Sequence, residues 1–496
     1  MQTQAYLPIE GSSSLATLEG NSIRSYPLCM RTEWTIGRNT YNNSPDICFV
    51  SEIVGRNHGK LINIDNSWYY MDNGSVNGTY INGMKLEVGT NGKSQPYQLK
   101  NGDVIRIDSD DLSDPDSRGV WMMYTSELLN ENWKTLKLNK DQIITIGRDE
   151  EICNLVIPQP YISAKHLQIG YVKDRFYVQD CDSYAGTWLN NEKIDRPTYL
   201  NDKDKISFCD CVIVYNDEMI FYNTNDLRRE TTEPERRVVL KANVKTKKVP
   251  NNSGHGEKEI IRNVNVEVKE GSLVALLGSS GAGKSTVMNC MNGMDTKGVQ
   301  GDISYKGVDL LKDFDKVKYL IGSVPQNEVF HPMLTVEEEL REAAIIRLPG
   351  DTKRKEIKAH VDNTIGQLKL DGVRKNKISK CSGGEKKRVN IAIELVADRQ
   401  LLCLDEPDAG LDPGMKRELF GILAELAHKE GKTILVIIHD VSDIHMFDQI
   451  IMMTKYENVG RLAFSGSPDE AEAYFGTNIK EAYGLLDAEP EKYIQD

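Results

Sequence analysis

The 496-residue sequence predicts a multidomain chain, with two all-β sandwiches followed by one α/β domain. The first half contains an internal repeat of short alternating runs, with Asn-Gly turn signals in its first copy, a pattern typical of β-sandwiches. The second half alternates continuous apolar runs with helix-compatible segments, which indicates a largely parallel sheet covered by helices. The two halves therefore differ in fold class.

The repeat in the first half is marked by three recurring features. Residues 35–38 recur as 145–148, His58 recurs as His166, and residues 72–82 recur as 180–190. These features resemble the motifs of forkhead-associated (FHA) domains, which read phosphothreonine peptides, in two copies over residues 15–222. Arginine forks, a serine hydroxyl and an asparagine amide suit the capture of a phosphorylated peptide by loops at one end of a sandwich. The resemblance implies that the contacting residues are Arg38, Arg56, Asn77, Arg148 and Ser163.

Each copy departs from the family pattern. In the first copy, Gly55 stands where the family has its phosphate-binding serine. In the second, Ala164 replaces a basic residue and Ala185 replaces the asparagine. A scaffold that binds no peptide is therefore the alternative function for both copies.

A charged segment broken by Pro234 follows the repeat and predicts a solvated linker. Thr231 and Thr232 lie in it as possible phosphorylation sites. We expect residues 247–258 to form the loop of an antiparallel hairpin at the start of the α/β domain. The predicted divisions are sandwiches at 15–125 and 126–222, the linker at 223–237, the α/β domain at 238–480 and a tail at 481–496.

A glycine-rich string follows the apolar run Leu273 to Leu277 and precedes a helix-compatible segment. It fits the phosphate-loop pattern GxxxxGK[ST]. In such a loop the backbone N–H groups turn toward polyphosphate oxygens, the lysine neutralises phosphate charge, and the serine hydroxyl reaches Mg²⁺. The residues predicted to contact ATP are Gly278, Ser279, Ser280, Gly281, Ala282, Gly283, Lys284, Ser285 and Thr286.

Further polar motifs follow this loop, most of them at the end of an apolar strand-like run or at the start of a helical one. The apolar runs at residues 319–321, 401–404 and 433–438 predict strands. A carboxylate or amide at the carboxyl edge of a parallel sheet faces the bound ligand. Ser382 is also a natural helix N-cap, and the two glycines after it permit close approach to an anion. In chain order these residues are Gln326, Ser382, Gly383, Gly384, Asp405, Glu406, Asp412 and His439.

The ordered set resembles the nucleotide-binding domain of ABC ATPases over roughly residues 235–480. The resemblance implies that two such domains pair head to tail, with each ATP between the phosphate loop of one and the signature of the other, here Ser382 to Gly384 together with Asp412. It implies that Asp405, with Ser285 and Gln326, holds Mg²⁺. In the same way, Glu406 would orient or deprotonate the attacking water and His439 would contact the γ-phosphate.

Two features depart from that family. Cys381 and Glu385 flank the signature where leucine and glutamine are usual, and Val238 to Lys248 contains no aromatic residue to stack on the adenine. The later segments 447–453, 460–466 and 467–476 resemble the G-type exporters within the family. In that group the ATPase leads into a membrane domain, so we expect the membrane part to be either a separate polypeptide or another part of a longer chain.

Composition and charge limit the classes of molecule that the chain is expected to bind. A formal net charge of −13 argues against nucleic acid, because neutralising its phosphates needs a basic face. The nine cysteines lack paired CxxC spacing and indicate a reducing cytosol, and Cys209 and Cys211 are expected to be edge residues of a strand rather than metal ligands. The chain carries neither a signal pattern nor an apolar run of the roughly 18 residues that span a bilayer.

Together these features predict an ATP-hydrolysing, Mg²⁺-dependent part of an exporter, at the cytoplasmic face of the cell membrane. FHA repeats joined to a G-type ATPase imply a bacterial transporter regulated by a Ser/Thr kinase or another phosphothreonine-bearing partner. The alternative is a soluble signalling protein, in which the repeats dock a phosphorylated partner and ATP switches dimerisation. The transported substrate is not encoded in these motifs.

Overall fold

The structure, a computed structural model, describes residues 13–28, 31–41, 43–64, 67–89, 92–108, 119–125, 133–223, 238–250 and 256–494. They fall into two compact units, one within 1–157 and 165–235 and the other within 158–164 and 236–496. The predicted linker with Thr231 and Thr232 lies outside the described residues, apart from residue 223, and so does the tip of the predicted hairpin.

The first repeat forms two facing sheets, as predicted. The sheet orders are β2-β1-β11-β10-β7-β8 and β4-β3-β5-β6-β9, with neighbouring strands antiparallel except for β3 and β4. The strands are β1 Ser14–Glu19, β2 Ser22–Pro27, β3 Glu33–Arg38, β4 Ile47–Phe49, β5 Gly59–Ile64, β6 Ser67–Asp72, β7 Tyr80–Ile81, β8 Met84–Lys85, β9 Tyr97–Gln98, β10 Val104–Ile107 and β11 Val120–Thr125.

The second repeat has the same design. Its sheet orders are β12-β22-β21-β20-β17-β18 and β14-β13-β15-β16-β19. The strands are β12 Lys134–Lys137, β13 Ile144–Gly147, β14 Leu155–Val156, β15 Leu167–Val172, β16 Arg175–Asp180, β17 Trp188–Leu189, β18 Glu192–Lys193, β19 Thr198–Tyr199, β20 Asp204–Phe208, β21 Cys211–Asn216 and β22 Met219–Asn223. The expected strand-edge position of Cys209 and Cys211 was wrong, because Cys209 lies in the β20–β21 turn with φ +51° and Cys211 is buried in an inner strand.

The two repeats share a hydrophobic cluster in addition to their own cores. Leu18 and Trp121 of the first repeat pack with Val214 and Phe221 of the second, and all four side chains are at most 1% exposed. Asn216 also donates a hydrogen bond to the Gly20 carbonyl at 3.1 Å. The repeats are therefore fixed to each other through side chains of β1, β11, β21 and β22.

The second unit contains one ten-stranded sheet, ordered β27-β26-β23-β24-β32-β31-β25-β30-β29-β28. Strands β31, β25, β30, β29 and β28 run parallel, so their carboxyl ends share one edge, and β23 and β24 form the predicted antiparallel hairpin. The strands are β23 Val238–Pro250, β24 Glu257–Lys269, β25 Leu273–Gly278, β26 Val299–Tyr305, β27 Val308–Asp309, β28 Ile321–Val324, β29 Leu401–Asp405, β30 Thr433–Ile437, β31 Gln449–Tyr456 and β32 Val459–Gly466.

Helices cover this sheet and most begin at a side-chain cap. Thr335, Ser382 and Ser467 each accept a hydrogen bond from the backbone N–H three residues on, which satisfies a group that the helix leaves unpaired. The helices are α1 Lys284–Met291, α2 Val336–Arg347, α3 Arg354–Gln367, α4 Gly383–Leu395, α5 Pro413–His428, α6 Pro468–Phe475 and α7 Ile479–Ala488. Single 3₁₀ turns lie at Phe314–Lys316, Lys318–Leu320, Asp371–Val373, Ile378–Lys380, Ile444–Met446 and Pro490–Lys492.

Helix α7 corrects one predicted boundary. The division at 480 falls inside this helix, and Ala482 and Leu486 beyond it are 0% and 3% exposed in the main apolar core. Residues 481–488 therefore belong to the α/β unit rather than to a separate tail. Every helix in the described ranges is too short or too polar for a membrane span.

Candidate functional site

The phosphate loop, residues 278–285, connects β25 to α1 at the carboxyl edge of the parallel strands. Gly283 precedes the helix with φ +88°, and a Cβ there would lie 2.3 Å from the Ile261 Cδ1 atom. A Cβ on Gly278, at φ +149°, would lie 2.4 Å from the Met453 carbonyl oxygen. The positive φ favours glycine at both positions, and at Gly278 the backbone oxygen of Met453 also leaves no space for a side chain.

Lys284 is buried at the start of α1 and bonds back onto the loop. Its Nζ donates to the Gly278 carbonyl at 2.7 Å and to the Ser279 carbonyl at 3.2 Å. Burial lowers the pKa of Lys284, although the nearby Glu406 and Asp405 carboxylates oppose this shift. The ammonium group is therefore held in the loop by two carbonyl oxygens that an anionic ligand can replace.

Asp405 ends β29 at the same edge of the sheet. Burial raises its pKa, while a hydrogen bond from Ser285 and the charge of Lys284 act in the opposite direction. Asp405, Ser285 and Lys284 therefore form one connected group at this edge of the sheet. A carboxylate beside a hydroxyl offers the oxygen ligands that Mg²⁺ prefers.

Glu406 is held between two other residues of the predicted site, Gln326 and His439. One of its carboxylate oxygens accepts a hydrogen bond from Gln326 Nε2 at 2.7 Å, and the other lies 2.7 Å from His439 Nε2. Its backbone has φ +48°, a conformation that glutamate rarely adopts. The structure thus brings together residues from the ends of three strands around one carboxylate.

The signature residues lie at the exposed start of α4. Ser382 caps the helix, and Glu385 reaches back to the Ser382 N–H, forming a capping box. A Cβ on Gly383 would meet only the Leu411 Cδ2 atom, at 3.9 Å. Asp412, in the next loop, caps α5 by accepting hydrogen bonds from the Gly414 and Met415 N–H groups.

In the first repeat, the predicted phosphopeptide residues surround the β3 and β4–β5 segments. Arg38 ends β3, and its buried Nε atom makes no hydrogen bond within the described part of the chain. Arg56 is exposed, and Asn77 Nδ2 donates to the Ile53 carbonyl at 2.7 Å. A Cβ on Gly55 would meet His58 Nδ1 at 3.5 Å, so a serine would fit there.

A network that sequence reasoning missed fixes the loop carrying Asn77. Asp72 accepts hydrogen bonds from the Ser75 and Thr79 hydroxyls, both at 2.7 Å, and His58 lies 3.6 Å from the same carboxylate. Burial opposes ionisation, but hydrogen bonds from the Ser75 backbone N–H and from the Thr79 and Ser75 hydroxyls lower the pKa of Asp72. The recurrence of Asp72 as Asp180 could have revealed this network from the sequence. In the second repeat, Asp180 likewise accepts hydrogen bonds from the Ser183 and Thr187 hydroxyls.

In the second repeat, Arg148 is half-buried after β13, and Ser163 is 3% exposed within the segment 158–164. His166 is fully buried, with Nε2 3.0 Å from the Gly186 carbonyl oxygen. This repeat thus keeps the buried histidine that corresponds to His58, while the asparagine position is occupied by the buried Ala185.

Sequence reasoning also missed Tyr483. Its hydroxyl accepts a hydrogen bond from the Gly278 N–H at 2.9 Å, although the two residues lie 205 positions apart. No motif spacing marks this tyrosine, so only its place on the amphipathic α7 offered a hint.

Comparison with known families decides the identity of both units. Residues 261–409 match the ABC transporter domain, and residues 34–108 and 144–209 each match the FHA domain. The chain joins two FHA domains to an ABC transporter ATPase domain. Both resemblances drawn from the motifs are confirmed.

Among curated proteins, the chain is 30% identical over 335 residues to an ABC transporter ATP-binding/permease protein of Mycobacterium tuberculosis, covering 67% of this chain and 37% of that protein. It is 36% identical over 229 residues to ABC transporter G family member 26 of Arabidopsis thaliana, covering 45% and 32% of the two chains. The chain thus spans about a third of the length of these relatives. The solved structure of cbiO1, part of an ABC transporter complex of Clostridium perfringens, is 27% identical with a TM-score of 0.42, covering 51% of this chain and 97% of that one.

Proposed function

We propose that the chain hydrolyses ATP for an exporter of the G type, and that its first FHA domain regulates this activity by binding a phosphothreonine peptide. The main support for ATP hydrolysis is that Glu406 lies between Gln326 and His439, beside the phosphate loop. An ATP-binding scaffold without turnover has no need of a carboxylate oriented at both oxygens in a strained backbone conformation.

Each group in this site has a distinct role in the proposed reaction. Lys284 leaves the Gly278 and Ser279 carbonyls and pairs with the β- and γ-phosphates of ATP. Glu406 accepts a proton from the attacking water, and His439 stabilises charge on the γ-phosphate. Asp405 and Ser285, with the Gln326 side-chain oxygen, fit Mg²⁺, which when bound neutralises phosphate charge.

The signature implies that the active form contains two copies of the chain. Ser382 and Gly383 are exposed at the positive end of a 13-residue helix, available to the γ-phosphate of an ATP bound by a second copy. Each hydrolytic site then needs the phosphate loop of one copy and the signature of the other.

Mixing two inactive variants tests this arrangement. Lys284→Ala removes the phosphate-loop cation, and Gly383→Asp places a negative charge in the signature at a position with room for a side chain. Each variant alone is expected to be inactive. Their mixture is expected to recover activity, because one of the two sites in a mixed pair keeps an intact loop and an intact signature. An inactive mixture, with both variants folded and able to pair, would contradict the two-copy site.

Export is supported by the relatives rather than by the site itself. The M. tuberculosis protein is named an ATP-binding/permease protein, and its match of 335 residues is longer than the α/β unit of this chain. We therefore place the chain at the cytoplasmic face of a membrane, working with a membrane-spanning domain. That domain belongs either to a separate polypeptide or to the same longer chain.

Peptide recognition in the first FHA domain is expected to depend on Arg38. Replacing Arg38 with Ala should weaken binding of a phosphothreonine peptide about tenfold or more, since a hydrogen bond to a charged group contributes about 1.5–3 kcal/mol. Gly55→Ser should strengthen binding several-fold by restoring a hydroxyl where a Cβ meets only ordinary contacts. Isothermal titration of the full chain measures both changes.

The same peptide without phosphate is the control for these titrations. The same weak affinity for both peptides, in the wild type and in both variants, would leave the FHA domains as a scaffold. Phosphate-dependent binding that Arg38→Ala leaves intact, but that Arg148→Ala removes, would move the peptide site to the second domain.

A further inference from the structure

Helix α7 is anchored to the sheet next to the phosphate loop. Ile479, Ala482 and Leu486 are 2%, 0% and 3% exposed, and their spacing places them on one face of the helix. The Thr454 hydroxyl on β31 donates a hydrogen bond to the Leu486 carbonyl at 3.1 Å. The helix is therefore fixed to the strand that pairs with β25.

On the same helix, the Tyr483 hydroxyl accepts the hydrogen bond of the Gly278 N–H at 2.9 Å. Gly278 is both the last residue of β25 and the first residue of the phosphate loop. It lies opposite Met453, one residue before Thr454, in the parallel pairing of β25 with β31. Helix α7 thus holds two adjacent strand ends, one of which opens the loop.

Gly278 links Tyr483 to the charged group of the loop. Its N–H bonds to Tyr483, and its carbonyl accepts the 2.7 Å hydrogen bond from Lys284. No side chain can fix this residue, because a Cβ would lie 2.4 Å from the Met453 carbonyl oxygen. The tyrosine hydroxyl therefore supplies an orienting contact that a side chain at residue 278 cannot give.

We propose that Tyr483 is a positioning residue for ATP binding, which sets the orientation of Gly278 and through it the phosphate loop and Lys284. This inference rests on the proposed nucleotide binding at that loop. Tyr483 acts on the loop through the Gly278 N–H, before the cleavage step. It is thus expected to affect how well ATP binds, and not how fast bound ATP is cleaved.

Tyr483→Phe in the full chain tests the proposal, because it removes only the hydroxyl. We expect the Kd for MgATP and the KM to rise about tenfold, because the loss of one typical hydrogen bond weakens binding by about this factor. We expect kcat at saturating ATP to stay within about twofold of the wild-type value. Tyr474→Phe makes the same atomic change on α6, where the ring packs against Phe464 and Phe475, and should leave KM unchanged.

A second variant separates positioning from stability. Thr454→Val removes a second hydrogen bond to α7, the one from Thr454 to the Leu486 carbonyl, without touching Gly278. It should therefore lower Tm while leaving KM near the wild-type value. An unchanged KM in Tyr483→Phe, or a loss of kcat at constant KM, would overturn the role of Tyr483. If Tyr483→Phe and Thr454→Val raise KM equally, α7 acts only as a structural support. A wild-type chain that binds no ATP would instead overturn the proposed function.

Discussion

Replacing Glu406 with Gln is expected to lower ATP turnover at least about a hundredfold while ATP remains bound, because a general base contributes roughly 10²–10⁴ to the rate. Glutamine keeps the size of the side chain and can still bond to Gln326 and His439, which now contact Glu406 at 2.7 Å each. It cannot accept a proton from the attacking water. The variant is also expected to accumulate as an ATP-bound pair of chains, since only hydrolysis would separate them.

Release of phosphate and the mass of the complex with ATP are the two measurements for Glu406→Gln. Glu418→Gln is a matched control, because that glutamate lies on α5 and pairs with Arg388 at 3.0 Å outside the site. Turnover by Glu406→Gln at the wild-type rate would assign the base to another residue. A monomeric ATP complex would argue against the paired form.

The second large effect is expected at Lys284. Lys284→Ala should weaken ATP binding about a hundredfold, because two charge-assisted hydrogen bonds to phosphate are lost at about 1.5–3 kcal/mol each. The buried position of Lys284 strengthens this expectation, since water cannot easily replace the missing charge. Equilibrium binding of a fluorescent ATP analogue measures the change directly.

Lys318→Ala is the control for that titration. Lys318 is exposed and pairs with Asp315 at 2.7 Å, so its loss should leave ATP affinity within about twofold. An affinity of Lys284→Ala equal to the wild type would mean that the loop binds ATP through backbone N–H groups alone.

Much of the α/β unit could be predicted because its motifs are local. The apolar runs predicted β25, β29 and β30 to within one residue at either end, and Ser382 was predicted as a cap. The predicted strand at 319–321 was less accurate, because residues 318–320 form a 3₁₀ turn and β28 begins at Ile321. Apolar side chains mark burial there, but not which backbone conformation buries them.

Contacts between distant segments could not be predicted in the same way. The bond between Tyr483 and Gly278 depends on where α7 packs, and its sequence resembles any amphipathic helix. The same holds for Gln326 and His439, whose motifs predicted their presence in the site but not their common hydrogen bonds to Glu406. The phosphate and peptide contacts of Arg38, Arg56, Asn77, Arg148 and Ser163 remain predictions.

The cluster shared by the two FHA domains bears on how their loops can diverge. Exposing Leu18 or Trp121 by unfolding one sandwich would also uncover Val214 and Phe221 of the other, so the free energies of unfolding are coupled. Natural selection can therefore retain the second sandwich because it stabilises the first, whether or not its own ligand-binding residues are kept. Ala164 and Ala185 stand in such loops, while the strands of the same sandwich keep buried apolar side chains.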